Sequence, residues 1–245
     1  MVCSAACATN LPTPPTLRVT YGTGMAQDTA LIVGATGLVG GHCLKTLLQS
    51  EDYQSVIALT RRPLALQHPR LVPITVDFDK LEEVDPFPTA DVFCALGTTI
   101  RRAGSQHAYL KVDFEYGRNV AERSAAAGAK QFLLVSSVGA APKSGNFYLR
   151  VKAELEKAIG ALPFESVHFF RPSFLIGHRE ETRLGESVGV ALSRALQFAL
   201  AGKLRKYRPM PAGTLACAML AAAREAKPGR HIYHYDDIVS LARQL

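Results

Sequence analysis

Tyr148 and Lys152 stand four residues apart in Tyr148-Leu-Arg-Val-Lys152, a stretch with helical periodicity. At that spacing they share one helical face, so both reach a single point. An ammonium beside a phenol favours the phenolate and brings a tyrosine, ordinarily titrating at about 10, toward service as a general acid or base. Upstream, a strand-like run ends in Leu134-Val-Ser136-Ser137, and a serine hydroxyl there would orient a carbonyl oxygen against the phenol. Alternation lets only one of Ser136 and Ser137 face the site, and chain order does not choose between them. A Tyr-x3-Lys pair alone arises easily on a solvated helix. Strand, Ser-Ser, then Tyr-x3-Lys, all behind a glycine loop, is far more specific.

That loop is Gly34-Ala-Thr36-Gly37-Leu38-Val39-Gly40, directly after a first apolar run and opening a helical pattern. Glycines there allow a tight turn and let backbone N–H groups approach a pyrophosphate at a helix N-terminus. The spacing is GxxGxxG, and no Gly-Lys-Ser/Thr follows, so it is not a P-loop. The second apolar run, Val56-Ile-Ala-Leu59, leads into Thr60-Arg61-Arg62-Pro63. An acid at that strand end would accept from the adenosine ribose hydroxyls; two guanidiniums instead suit a 2′-phosphate. The expected cofactor is NADP(H).

Positioning these groups requires a sheet. Strands read at Thr29–Gly34, Ser55–Thr60, Arg70–Val76, Asp91–Leu96, Gln131–Ser136 and Ser166–Arg171. Helical patterns fall between them at Gly37–Gln49, about Ser105–Ala127 and about Phe147–Ala161. Near-continuous apolar strands alternating with helices imply a parallel sheet covered on both faces. The fold class is α/β, a Rossmann-like doubly wound parallel sheet with a small C-terminal helical appendage. Residues 29–177 form the nucleotide-binding domain. Residues 178–245, with helices at Val188–Leu200, Thr214–Ala223 and Ile238–Leu245 and a short strand at His231–Tyr235, are too few for a second core and pack on it. Residues 1–28, rich in Pro and Thr without periodicity, read as a disordered tail without the features of a signal peptide. Met25, just before the first strand, is an alternative start.

Composition narrows the function. The 245 residues are 48% hydrophobic and 20% charged, ordinary for a globular chain. No apolar run approaches the roughly 18 residues of a membrane span; the longest, Leu215–Ala223, is short and Ala-rich. The net charge is +7, and residues 178–245 carry 11 basic against 6 acidic side chains. The densest basic cluster, Lys203 to Arg208, lacks aromatic interleaving and zinc-finger spacing, so it reads as a solvated face and no nucleic acid is expected. Five scattered cysteines without a CxxC suit a reducing cytoplasm. Cys43, Cys94 and Cys217 read as buried small hydrophobes. His231 and His234, three apart in a strand, would face opposite ways, so no metal site is expected.

The chain resembles the atypical or extended short-chain dehydrogenase/reductases, and more narrowly the Tat-interacting-protein-like oxidoreductases. The likeness runs from about Ala30 to about Ala223. It rests on the glycine loop, Thr60-Arg-Arg62, Val76-Asp-Phe78, Phe93-Cys-Ala-Leu-Gly-Thr-Thr99, Leu134-Val-Ser-Ser137, Asn146-Phe-Tyr-Leu-Arg-Val-Lys152 and Phe170-Arg-Pro-Ser-Phe174. The resemblance implies that Gly34, Thr36, Gly37, Leu38 and Val39, with Gly40 of the same loop, wrap the diphosphate. It gives Arg61 and Arg62 the 2′-phosphate, puts Asp77 and Phe78 beside the adenine, and lines the nicotinamide-side ribose with Leu96, Gly97 and Thr98. Ser137, Tyr148 and Lys152 match the catalytic trio, Tyr148 and Lys152 also touching the cofactor, and Pro172 and Ser173 lie near the nicotinamide. Val112-Asp113 replaces the Asn that often sits in the central helix. The leading expectation is an NADP(H)-dependent oxidoreductase acting on a small carbonyl or alcohol. A nucleotide-sugar epimerase and an NADPH-binding regulatory protein with a protein partner stand as alternatives.

Overall fold

In the computed structural model, which describes residues 28–177 and 200–245, the apolar runs form β1 (Thr29–Val33), β2 (Ser55–Thr60), β3 (Leu71–Thr75), β4 (Asp91–Cys94), β5 (Gln131–Val135) and β6 (Ser166–Phe170). Beyond them, the two-residue strands β7 (Leu175–Ile176) and β8 (Met210–Pro211) pair with each other, and β9 (Gly229–Tyr233) follows. The main sheet runs β3-β2-β1-β4-β5-β6-β9, and every pairing in it is parallel.

Alternation along the strands supplies both faces with apolar side chains. Ala30 and Ile32 of β1, Phe93 of β4 and Leu133 and Val135 of β5 pack toward α1 (Leu38–Gln49) and two later helices. Leu31 and Val33, Val92 and Cys94, and Phe132 and Leu134 pack the opposite way. That second face is covered by α4 (Tyr116–Ala126) and α5 (Phe147–Gly160), with Val120, Ala121, Leu155 and Ile159 in its core, and the short helices α2 (Ile100–Ala103) and α3 (Gln106–Leu110) lead into α4. Gly117 sets the approach of α4 to α5: a Cβ there would lie 3.2 Å from Leu155 Cδ2.

The C-terminal part adds to the first face. The Ala-rich run becomes the buried helix α6 (Ala212–Glu225), whose small side chains allow close packing on α1, and α7 (Tyr235–Ala242) buries Ile238 and Leu241 beside it. Among the described residues, no helix is long and apolar enough to cross a membrane.

Several expectations are corrected. The helix expected over Ser105–Ala127 is interrupted by a π-turn at Lys111–Glu115. The last strand starts earlier and ends at Tyr233, so His234 leaves it and stands at the N-cap of α7. That helix begins before Ile238 because Asp237 accepts from the His234 amide at 2.9 Å. Cys43 and Cys94 are buried but Cys217 is only half-buried. The tail expected over 1–28 lies outside the described residues except for Asp28, whose carbonyl accepts from Gln54 N. The helix expected at Val188–Leu200 lies outside them except for Leu200.

Candidate active site

The glycine loop joins β1 to α1 as a turn in which Gly37 N donates to Gly34 O at 2.9 Å. Gly34 has φ +88°, and a Cβ on it would sit 2.5 Å from Ala95 O. A Cβ on Gly40 would sit 2.0 Å from Gly34 O, so only glycine lets the helix approach its own entry turn. Gly37 caps α1 without a side chain, and the first turn holds no acid. The first amides of α1, at Leu38 and Val39, therefore meet no competing anion from within the helix. Thr36 and Gly37 are exposed at the tip.

At the ends of β2 and β3, Arg61, Thr75, Val76, Asp77, Phe78 and Tyr116 line a cleft of about 370 Å³. The structure thus brings Arg61, Asp77 and Phe78 together as the resemblance implies, while Arg62 follows Arg61 on the surface outside that lining. Asp77 turns its carboxylate to the backbone, accepting from Asp79 N at 3.0 Å. Tyr116 is an addition that the sequence reading missed. Its ring lies 5.3 Å from that of Phe78, and its hydroxyl donates to Asp79 at 2.7 Å. Burial and that hydrogen bond push the phenol up to about 12. Hydrogen bonds from Lys111 and Tyr116 in turn hold Asp79 below the usual carboxylate range.

Across the sheet, α5 starts at Phe147 because Asn146 accepts from Tyr148 N at 2.9 Å. One turn further, Lys152 points inward: its ammonium lies 2.8 Å from Asp113 Oδ1. Burial works against that ammonium, yet the facing Asp113 carboxylate and Tyr148 hold it above the ordinary lysine range. Asp113 also accepts from Thr98 N at 2.7 Å, which ties the loop after β4 to the ion pair. Gly97 forms the roof of this place, for a Cβ there would lie 3.7 Å from Asp113 Oδ1 and 3.9 Å from Lys152 Nζ. Gly97, Thr98 and Lys152 thereby meet at Asp113 beyond the end of β4, next in the chain to Leu96, and the Tyr148 ring is centred 6.0 Å from the ammonium.

Ser136 and Ser137 separate by exposure. Ser136 continues the β5 ladder, donating its amide to Phe170 O at 2.7 Å, and its hydroxyl is buried without a hydrogen bond among the described residues. Ser137 is partly exposed, with Oγ 3.4 Å from Val138 O. Pro172 accepts from Val138 N at 2.9 Å. The Ser173 hydroxyl is committed to the carbonyls of Tyr207 and Arg208, at 2.8 and 2.7 Å, and so fastens the segment after β6 to the turn at Gly202–Tyr207. In that basic turn Arg205 pairs with Asp236 at 2.6 Å.

These residues fit a nicotinamide dinucleotide: a glycine turn that brings the first amides of α1 to an exposed tip, open space over Lys152 at Gly97, and Arg61 in the cleft at the ends of β2 and β3. Residues 34–162 match a family model described as NAD(P)H-binding. Rat Protein HTATIP2 is 38% identical over 167 residues, covering 66% of this chain and 69% of that protein. Protein FMP52, mitochondrial, of Candida glabrata is 33% identical over 170 residues, covering 66% and 70%. Among solved structures, human epimerase family protein SDR39U1 with NADPH superposes with TM-score 0.58 at 19% identity, covering 84% of this chain and 75% of that one. MoeE5 in complex with UDP-glucuronic acid and NAD does so with TM-score 0.63 at 19% identity, covering 88% and 81%. At that identity the last two speak for the fold. The chain belongs to the NAD(P)H-binding family, as a Tat-interacting-protein-like member related to HTATIP2.

Proposed function

We propose that this chain is an NADP(H)-dependent oxidoreductase of the short-chain dehydrogenase/reductase type, interconverting a small carbonyl compound and its alcohol. The observation that carries the reading is the placement of Lys152 under Gly97, with Tyr148 one turn earlier on the same helix. A bound nicotinamide supplies or accepts the hydride. Tyr148 gives the phenolic proton to the carbonyl oxygen in reduction and recovers it in oxidation. Lys152, held by Asp113 on the same helix face as Tyr148, would hold the ribose hydroxyls of the nucleotide. Of the two serines, Ser137 is the one a substrate reaches, since Ser136 is buried. The choice of NADP(H) over NAD rests on Arg61 and Arg62.

Calorimetric titration with NADPH and NADH, followed by a carbonyl panel read at the nicotinamide absorbance, tests the proposal. Turnover lost in Tyr148→Phe supports it. NADPH-dependent capture of a protein partner without turnover would move the chain to the sensor reading. The cysteine pattern favours a reducing compartment and with it the cytoplasm, whereas the FMP52 relatives bear the word mitochondrial in their names. Imaging a fluorescent fusion of the full chain decides between the two addresses.

A further inference from the structure

Lys152 is committed elsewhere before it meets Tyr148. Its ammonium is 2.8 Å from Asp113 Oδ1, the two side chains being 4% and 0% exposed, but 6.0 Å from the centroid of the Tyr148 ring. The second Asp113 oxygen is fixed by the Thr98 amide. This carboxylate sits within the π-turn at Lys111–Glu115, and such a turn re-phases the helix around it and recurs at functional sites. The lysine's charge is thus met by a carboxylate at contact distance, while the centre of the Tyr148 ring lies at 6.0 Å. Felt from outside the pair, the opposed charges of the carboxylate and the ammonium act against each other on the phenol.

We propose that Asp113 is a positioning residue that acts through Lys152: by neutralising the ammonium it keeps the Tyr148 phenol in the protonated form that donates to a carbonyl oxygen. This rests on the reading of Tyr148 as the acid/base. The titratable groups that face the phenol and the ammonium from the packed elements are Tyr109 on α3, Cys94 on β4 and Asp113 itself. Tyr109 is wholly buried, with its ring 6.0 Å from that of Tyr148. Burial pushes the Tyr109 phenol up and the Cys94 thiol up to about 11, which leaves both neutral. The charge balance at the site is therefore set by Asp113 against Lys152.

The chain has 8 Tyr and no Trp, so tyrosinate absorbance is read cleanly. The cofactor-free protein is titrated as the parent, Asp113→Asn, Tyr148→Phe and the double variant Asp113→Asn/Tyr148→Phe. Subtracting the Tyr148→Phe curve from the parent's, and the double variant's from that of Asp113→Asn, isolates one phenol in each background. Removing the carboxylate charge should lower the Tyr148 midpoint by about one pH unit or more, a roughly tenfold gain in acidity. An unchanged or higher midpoint overturns the proposal. If Asp113→Asn does not fold, the electroneutral Asp113→Asn/Lys152→Gln protein replaces it. Its Tyr148 midpoint should stay within about half a unit of the parent, because the native pair already cancels. A rise of about one unit or more there would mean that Lys152 pulls on the phenol despite Asp113, and would overturn the proposal. Turnover of Tyr148→Phe decides the acid/base reading separately, so the two failures are distinguishable.

Discussion

Arg61 lines the adenosine-end cleft and Arg62 follows it at the end of β2. Among the described residues, neither has a carboxylate within ion-pair distance, so both guanidiniums are available to an incoming anion. Arg61→Ala/Arg62→Ala removes that pair without touching the core. A hydrogen bond to a charged group is worth about 1.5–3 kcal/mol, and solvent exposure puts these at the low end. Two such bonds sum to about 3 kcal/mol, or on the order of a 100-fold change in Kd. Calorimetry at fixed salt should show NADPH weakened by about that factor and NADH by less than about threefold, since only NADPH carries the 2′-phosphate. Arg61→Ala alone should account for the larger share, because Arg61 is the one in the cleft lining. Raising the salt should narrow the NADPH advantage in the parent and leave the double variant indifferent. Equal affinities for the two nucleotides in the parent, or an equal loss of both in the variant, would refute the reasoning.

Tyr148→Phe should keep its fold and NADPH affinity while turnover drops by about 100-fold or more; undiminished kcat on an identified substrate would remove Tyr148 from the chemistry. Gly97→Ala should leave the melting temperature nearly unchanged, because the new Cβ makes only ordinary contacts at 3.7 and 3.9 Å. It should nevertheless weaken NADPH about tenfold by filling the space above Lys152, and calorimetry reads both quantities. His168 is fully buried between Ser166 Oγ at 2.7 Å and Tyr233 OH at 3.0 Å, and burial with the neighbouring His231 pushes its imidazole down to about 4. The neutral ring therefore stabilises the fold fully above the ordinary value near 6.5, and this stability is lost as pH falls toward 4, by about 3 kcal/mol in all. In denaturant melts, His168→Gln should lose that share of the acid-limb slope; an unchanged slope would show that other groups dominate.

The strands were legible because each is an uninterrupted apolar run bounded by turn residues, and a sheet buried on both faces leaves few other arrangements. The glycine loop was legible for a steric reason, since Gly34 and Gly40 occupy positions where any Cβ meets backbone oxygen. Boundaries drifted where local pattern and pairing disagree. His234 continues an apolar-looking stretch, yet its amide is taken by Asp237 and so becomes a helix cap. Tyr116 went unseen because its partners, Phe78 and Asp79, lie in a different crossover, and no periodicity links them. Ser173 was placed beside the nicotinamide by resemblance, while its hydroxyl holds the carbonyls of Tyr207 and Arg208.

The Asp113–Lys152 pair shows what a helical wheel conceals and what it still offers. Tyr109, Asp113, Gly117, Val120, Ala121 and Ser124 are the buried positions from Tyr109 to Ser124, so the acid stands on the core-facing stripe. On α5 the buried positions are Val151, Lys152, Ala153, Leu155, Glu156, Ile159 and Gly160, which puts a base on that helix's inner face. A buried charge is costly unless an opposite charge meets it, so an acid and a base on the inner stripes of two helices that cover the same sheet face imply a pair. The same rule finds Glu156, which Arg171 engages through Nε at 2.9 Å. What the wheel could not supply is the π-turn, because a phase shift of one residue leaves no mark in composition. Distance then decides the chemistry. At 2.8 Å the ammonium is in contact with the carboxylate, whereas the centre of the Tyr148 ring stands 6.0 Å from it. A Tyr-x3-Lys motif read alone therefore misses the carboxylate that shares the lysine in this chain.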